Sequence, residues 1–126
     1  MFFLKIFKKI TVDKKLSKDM ETVNKVTLRG GISGLRKILI KDSGAARFVL
    51  MTRDFKKSKE GHTIVETELH NVVVWKNDEL FDDLADGKIV EVEGRLRYIK
   101  YTNSDGFDKV LTEIVASKLV SVETQE

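Results

Sequence analysis

The segment from Ile89 to Tyr101 alternates between apolar and polar positions with a period of two residues, which predicts a half-buried β-strand. One face carries Val90, Val92, Leu96 and Tyr98, and the other carries Glu91, Glu93, Arg95, Arg97, Ile99 and Tyr101. The second face therefore places two guanidinium groups beside an aromatic ring. Phosphate partners next to a stacking surface are what single-stranded nucleic acid requires. The alternative is an edge strand that carries charges against aggregation.

Two other segments repeat this pattern. In the segment 47–55, one face holds Arg47, Val49, Met51, Arg53 and Phe55, and Phe48 and Leu50 point the other way. In the segment 67–75, one face holds Leu69, Asn71, Val73 and Trp75, and Val72 and Val74 lie opposite. For Trp75 a core position is the alternative, because tryptophan is usually well buried. The agreement of three strands favours a shared surface of rings and cations.

Turn signals between the alternating segments divide the chain into five strands. The predicted strands are Asn24–Arg29 (ended by Gly30-Gly31), Ala46–Phe55 (preceded by an extended piece at Leu35–Ile40), Ile64–Trp75, Ile89–Tyr101 and Phe107–Val120. Polar turns at 41–44, 56–61 and 103–106 connect hairpins. A short helix from Asn77 or Asp78 through Ala85 would bury Leu80, Phe81 and Leu84. Strands this short and frequent predict an all-β domain rather than a parallel α/β sheet.

Four fragments carry a resemblance to a known family. They are Asn24-Lys25-Val26-Thr27-Leu28, Thr67-Glu68-Leu69-His70-Asn71-Val72-Val73, Glu93-Gly94-Arg95-Leu96-Arg97 and Thr112-Glu113-Ile114-Val115. In order and spacing they resemble the bacterial and mitochondrial single-stranded DNA-binding protein family over about Val23 to Val122. The resemblance implies an OB-fold, which is a five-stranded Greek-key barrel with a short helix between strands 3 and 4. It also implies a homotetramer, sequence-tolerant wrapping of single-stranded DNA and no catalysis.

The resemblance places the family's base-stacking aromatics on Phe55, Leu69, Trp75 and Tyr101. Where the family usually has tryptophan, Leu69 offers no π face, which predicts weaker binding at that subsite. The side chains expected to meet phosphates are Arg47, Arg53, Lys56, Lys57, Lys59, Lys76, Arg95, Arg97 and Lys100, with Arg29 as a weaker candidate. The predicted function is the coating of single-stranded DNA in replication, repair or recombination, in the bacterial cytoplasm and its nucleoid, with the mitochondrion as an alternative.

Net charge says little about this function. Of the formal net charge of +3 on 126 residues, all comes from residues 1–22, which hold six lysines and three acidic residues. The remainder is electrically balanced, so attraction to phosphate must come from how its charges are distributed. The acidic residues Asp78, Glu79, Asp82, Asp83 and Asp86 cluster in one segment, and we expect that segment on the far side from the predicted surface.

Residue types for catalysis or metal binding are sparse. The chain has no cysteine, and its two histidines, His62 and His70, lack a third ligand for zinc, so neither a metal site nor a cofactor is predicted. His70 is expected to be partly buried and hydrogen-bonded. Nucleophile-elbow and phosphate-loop motifs are absent, and Asp54 beside Arg53 is too little for a nuclease. No apolar run approaches transmembrane length, so we expect a soluble protein.

Both ends of the chain lie outside the predicted domain of residues 23–122. Within residues 1–22, Phe3, Ile6, Phe7 and Ile10 have helical spacing opposite Lys5, Lys8 and Lys9. Such a helix would dock on a membrane surface or a partner, or the segment packs on the oligomer or stays loose. Residues 123–126 lack the acidic tip with which the family recruits partner enzymes. A primosome-type accessory protein, whose main role is to bind a helicase or another replication protein, is therefore the alternative function.

Overall fold

The computed structural model describes residues 21–122, which form five strands around one core. They are β1 Val26–Ile40, β2 Ser43–Lys57, β3 Thr63–Trp75, β4 Ile89–Thr102 and β5 Asp108–Ser121. The strands close into a barrel in the order β1-β2-β3-β5-β4, in which only the β3–β5 contact is parallel. The predicted all-β, five-stranded OB barrel is confirmed. The predictions for residues 1–20 and 123–126 lie outside the described residues.

The first strand is longer than the sequence indicated, and the predicted break at Gly30-Gly31 is wrong. β1 runs through both glycines: its first half, to Gly31, pairs with β4, and its second half pairs with β2. The extended piece at Leu35–Ile40 is thus the end of the same strand. A Cβ atom on Gly30 would overlap the backbone carbonyl of Met51. Glycine is therefore used here for close strand approach at a corner of the barrel, not for a turn.

The core consists of the inward positions of all five strands and of the segment between β3 and β4. Phe48 and Leu50 of β2 are buried, as are Val72 and Val74 of β3, so the predicted faces of these two strands are confirmed. In β4, Val90 and Val92 are buried in the same way. The remaining core residues are Ile32, Ala46, Phe81, Leu84, Ile114, Ala116 and Leu119.

His70 lies on the inward side of β3, just beyond the buried valines. It is partly exposed, and its Nε2 is 2.9 Å from the hydroxyl of Thr52 on β2. The predicted role of a hydrogen-bonded, partly buried histidine is confirmed.

The segment between β3 and β4 contains less helix than predicted. One turn of 3₁₀ helix, Phe81–Asp83, replaces the expected helix from residue 77 or 78 to 85, and Leu84 is already extended. Asp78 accepts a hydrogen bond from the backbone of Leu80 at 2.9 Å, which caps a turn rather than an α-helix. Phe81 and Leu84 are nevertheless buried. Two buried anchors need only one turn between them, and helix nucleation is costly in so short a segment.

The close approach at Gly30 gives a test of the fold. Replacement Gly30→Ala should lower the free energy of unfolding by roughly 1–3 kcal/mol, because the added methyl group must push β1 away from β2. The neighbouring variant Gly31→Ala is the control, since a Cβ atom there meets no other atom within 4 Å. Its effect should stay below about 1 kcal/mol. Urea denaturation of both variants measures the difference, and equal stabilities would contradict the packing described.

Candidate nucleic-acid interface

The outer faces of β2 and β3 carry three of the four predicted stacking side chains. Met51 lies directly opposite Leu69, Ala45 opposite Trp75 and Phe55 opposite Val65, so these pairs share one face. Because Phe48, Leu50, Val72 and Val74 fill the barrel, that face is the outer one.

The same surface continues onto β5 and β4. In the register, Arg47 of β2 lies opposite Val73 of β3, Val73 opposite Val115 of β5, and Val115 opposite Arg95 of β4. This row crosses four strands on the outside of the barrel. Tyr101 of β4 is an even number of residues from Arg95, so it has the same parity and its side chain also points outward. All four predicted stacking positions therefore belong to one face of the sheet. We call this face the outer surface.

Phe55, Leu69, Trp75 and Tyr101 are 67, 64, 46 and 47% exposed. Pairing between β3 and β5 is confined to residues 72 and 73 with 114 and 115. Beyond it, the β2–β3 and β4–β5 hairpins continue separately, with Phe55 near the end of the first and Tyr101 near the end of the second. The core alternative for Trp75 is wrong, because almost half of its side chain faces solvent.

At the centre of the outer surface lies a buried carboxylate. Glu113 of β5 is 2% exposed, and its two oxygens accept separate hydrogen bonds from Arg47 of β2 and Arg97 of β4. The two arginine side chains each remain about a third exposed. A carboxylate with so little exposure is stable only when paired, and here two cations share it, which leaves a local excess of one positive charge.

Several of the predicted phosphate contacts lie on the outer surface or at its edges. Arg53 and Lys57 share the face of Phe55, and Lys59 lies in the exposed hairpin tip beyond them. Arg95 is exposed at the β4 end of the cross-strand row. Lys76 directly follows Trp75. These five residues and the Arg47–Glu113–Arg97 group lie on, or directly beyond, the strands that carry the predicted stacking positions.

Three other predicted cations do not lie on this face. Lys56 is on the reverse side of the β2–β3 hairpin, 3.1 Å from Glu66, and the hydrogen bond and charge of Glu66 raise the pKa of Lys56 above its usual value. Lys100 has the opposite parity to Tyr101. Arg29 lies on the β1–β4 pair, where it donates two hydrogen bonds to Glu91.

The expectation that the acidic segment lies far from this surface is only partly correct. A groove of about 600 Å³ beside Trp75 is also lined by Asp78, Glu79 and Lys118. Two of the five acidic residues therefore border the Trp75 subsite. Because carboxylates repel phosphate, this groove is unsuited to a phosphate backbone.

Two residues of the outer surface, Glu113 and Arg36, are not among the candidates that the sequence predicts. Glu113 has no signal of its own in the sequence, since a carboxylate at an outward strand position is normally solvated. Arg36 belongs to the predicted extended piece at Leu35–Ile40, which is the end of β1. It lies directly opposite Arg47 of β2 and lines the same small cleft as Glu113. Recognising β1 as one continuous strand would have placed Arg36 in the cross-strand row.

Comparison with known families decides the family of this chain. The model of the single-strand binding protein family matches residues 23–122. The chain belongs to this family. Its members include a single-stranded DNA-binding protein of Xanthomonas campestris pv. campestris, which is 39% identical over 77% of this chain and 59% of the relative's length. A relative of the same name from Xylella fastidiosa is 34% identical over 77% of this chain and 62% of its own length. The chain thus spans about 60% of these relatives.

Solved structures of family members have the same fold. The Plasmodium falciparum SSB in complex with ssDNA superimposes with a TM-score of 0.70 at 25% identity, covering 82% of this chain and 97% of that one. A deletion mutant of the single-stranded DNA binding protein from Thermus aquaticus gives a TM-score of 0.67 at 22% identity, covering 80% and 51%. The second likeness concerns the barrel alone.

The Arg47–Glu113–Arg97 group, called the Glu113 group below, gives a second test. Replacement Glu113→Ala should lower the free energy of unfolding by about 3 kcal/mol, because Arg47 and Arg97 lose the only buried carboxylate among the described residues. We expect the low end of the usual range for a broken buried ion pair, since about a third of each arginine side chain is exposed. The control is Glu91→Ala, which removes an exposed ion pair with Arg29 and should cost less than about 1 kcal/mol. Similar losses in the two variants would contradict a special role for the buried group.

Proposed function

We propose that this chain binds single-stranded DNA along the outer surface, with bases on Phe55, Leu69, Trp75 and Tyr101. The observation that carries the proposal is the exposure of these four apolar side chains on one continuous face, surrounded by cations. Large exposed apolar side chains on a charged surface indicate a binding site. The fold shared with a family member solved in complex with ssDNA supports this assignment.

The physical basis is stacking combined with charge. Each base stacked on an aromatic ring contributes roughly 1–3 kcal/mol, and every base has a π face, so the binding tolerates sequence. Arg53, Lys57, Lys59, Lys76 and Arg95 supply phosphate partners whose contribution falls with salt. Arg47 and Arg97 contribute the single positive charge that remains after both have paired with Glu113.

The biological role proposed is the coating of single strands in replication, repair or recombination. It is a binding role rather than a catalytic one, in the cytoplasm of a bacterial cell and in association with its nucleoid. Oligomerisation, with a homotetramer as the form typical of the family, would join several such surfaces. The primosome-type accessory role is not favoured, because the family model that matches residues 23–122 is that of the single-strand binding proteins. No helix among residues 21–122 is long and apolar enough to cross a membrane.

Titration of the single tryptophan tests the proposal directly. Oligo-dT should quench the fluorescence of Trp75, since a base stacked on the indole replaces water there, and the effect should weaken as salt is raised. A duplex of the same length is the control and should leave the emission nearly unchanged, because its bases are not free to stack. Equal quenching by the duplex, or none by oligo-dT, would contradict the proposed function.

Two tyrosines on opposite sides of β4 provide a matched pair of variants. Replacement Tyr101→Ala should weaken binding of a labelled single strand by roughly 1–3 kcal/mol through loss of one stacking contact. Tyr98 is 65% exposed but has the opposite parity, so Tyr98→Ala should change the affinity little. Fluorescence anisotropy of the labelled strand measures both. A larger loss of affinity for Tyr98→Ala would indicate that DNA binds on the face opposite Tyr101 and would contradict the proposed surface.

A further inference from the structure

Next to the Arg47–Glu113–Arg97 group, toward the ends of the two hairpins, the outer surface is aliphatic rather than aromatic. Met51 and Leu69 lie directly opposite each other on β2 and β3, and Ile99 and Leu111 lie opposite each other on β4 and β5. Leu69 is 64% exposed, and its three companions are partly exposed. We call these four residues the aliphatic strip. In the proposed binding mode, the strip lies between the stacking positions of the two hairpins.

Cations flank the aliphatic strip on both hairpins. Arg53 lies two residues beyond Met51 on the same face, and Lys109 lies two residues from Leu111 on the same face. Arg97 and Arg47 lie on its other side, beside Glu113. An apolar strip between rows of cations suits a polyanion that carries apolar groups, with bases on the strip and phosphates beside it.

Aliphatic carbons and aromatic rings hold bases in different ways. A ring stacks on the π face that all bases share, whereas a leucine or methionine side chain gains most from contact with another apolar group. Among the standard bases only thymine presents one, its 5-methyl group, and apolar side chains are known to read it. Uracil is the same ring without that methyl group.

We propose that the aliphatic strip selects thymine over uracil through the 5-methyl group, and thereby favours DNA over RNA at this subsite. The inference rests on the proposed function, because it assumes that bases cover the outer surface. Burial of one methyl group against Leu69 and Met51 corresponds to about a twofold to fourfold tighter binding per nucleotide seated. Rings at Phe55, Trp75 and Tyr101 do not distinguish these two bases in this way.

The test compares three labelled oligonucleotides of about 15 nucleotides, a length near the largest site of one OB-fold. Oligo-dT and oligo-dU differ only in the methyl group, and oligo-dU and oligo-rU only in the 2′-hydroxyl. Anisotropy gives the affinity of each for the full chain and for the variant Leu69→Trp, which replaces the aliphatic contact by a π face. Leu39→Trp is the control, because Leu39 is also exposed (58%) but lies at the end of β1, away from the strip.

The full chain should bind oligo-dT about twofold to fourfold more tightly than oligo-dU for each nucleotide on the strip. Leu69→Trp should bring this ratio close to one while strengthening both complexes, and Leu39→Trp should leave the ratio unchanged. Leu69→Ala, which shortens the strip without adding a ring, should also lower the ratio and serves if the tryptophan variant misfolds. Equal binding of oligo-dT and oligo-dU by the full chain, or a ratio that persists in both Leu69 variants, would overturn the inference. Failure to bind any of the three would overturn the proposed function itself.

Discussion

Closure of the barrel depends on the short parallel contact between β3 and β5. Only two residue pairs make it, Val72 with Ile114 and Val73 with Val115, and they contribute to both sides of the barrel wall. Val72 and Ile114 belong to the core, whereas Val73 and Val115 are buried on the outside. Without this contact the two hairpins would not share an outer surface, because β2–β3 and β4–β5 have no other direct pairing in the strand order.

The Glu113 group reinforces this closure from outside. Its members come from β2, β4 and β5, and the ion pair between Arg47 and Glu113 joins the two hairpins. It therefore supplements the β3–β5 pairing, which extends over only two residues of each strand. Asn71 of β3 also donates a hydrogen bond to the backbone oxygen of Thr112 on β5, at 3.3 Å. Buried ion pairs add little net stability compared with apolar packing, but they are specific about which partners meet. Here they fix two arginines at the centre of the candidate interface.

How far the sequence predicts this structure differs from one feature to another. Alternation along β2, β3 and β4 correctly separated the core residues Phe48, Leu50, Val72 and Val90 from the outward positions, because a period of two is a local property of a strand. The family resemblance then named the barrel. Gly30 was misread as a breaker, since whether glycine makes a turn or a close contact depends on the partner strand.

The candidate site follows the same division. Exposure of Phe55, Trp75 and Tyr101 follows from parity, but the pairing state of a charged residue does not. Arg47 and Arg97 share Glu113, and Arg29 and Lys56 have their own carboxylates. The three arginines are separated from their carboxylate partners by 16 to 66 residues in the sequence. No local sequence pattern therefore predicts these pairs. The face on which most of these cations lie was predictable from the sequence, but whether a cation is already paired with a carboxylate was not.

The β2–β3 hairpin has opposite electrostatic character on its two sides. Arg53 and Lys57 accompany Phe55 on one side, whereas Asp54, Glu66 and Glu68 lie on the other with Lys56 already engaged by Glu66. A polyanion on the reverse side of this hairpin would be repelled by these three carboxylates. In the proposed binding mode, this asymmetry would confine a bound strand to the side of the hairpin that carries Phe55, and the boundary would be set by charge rather than by steric contact.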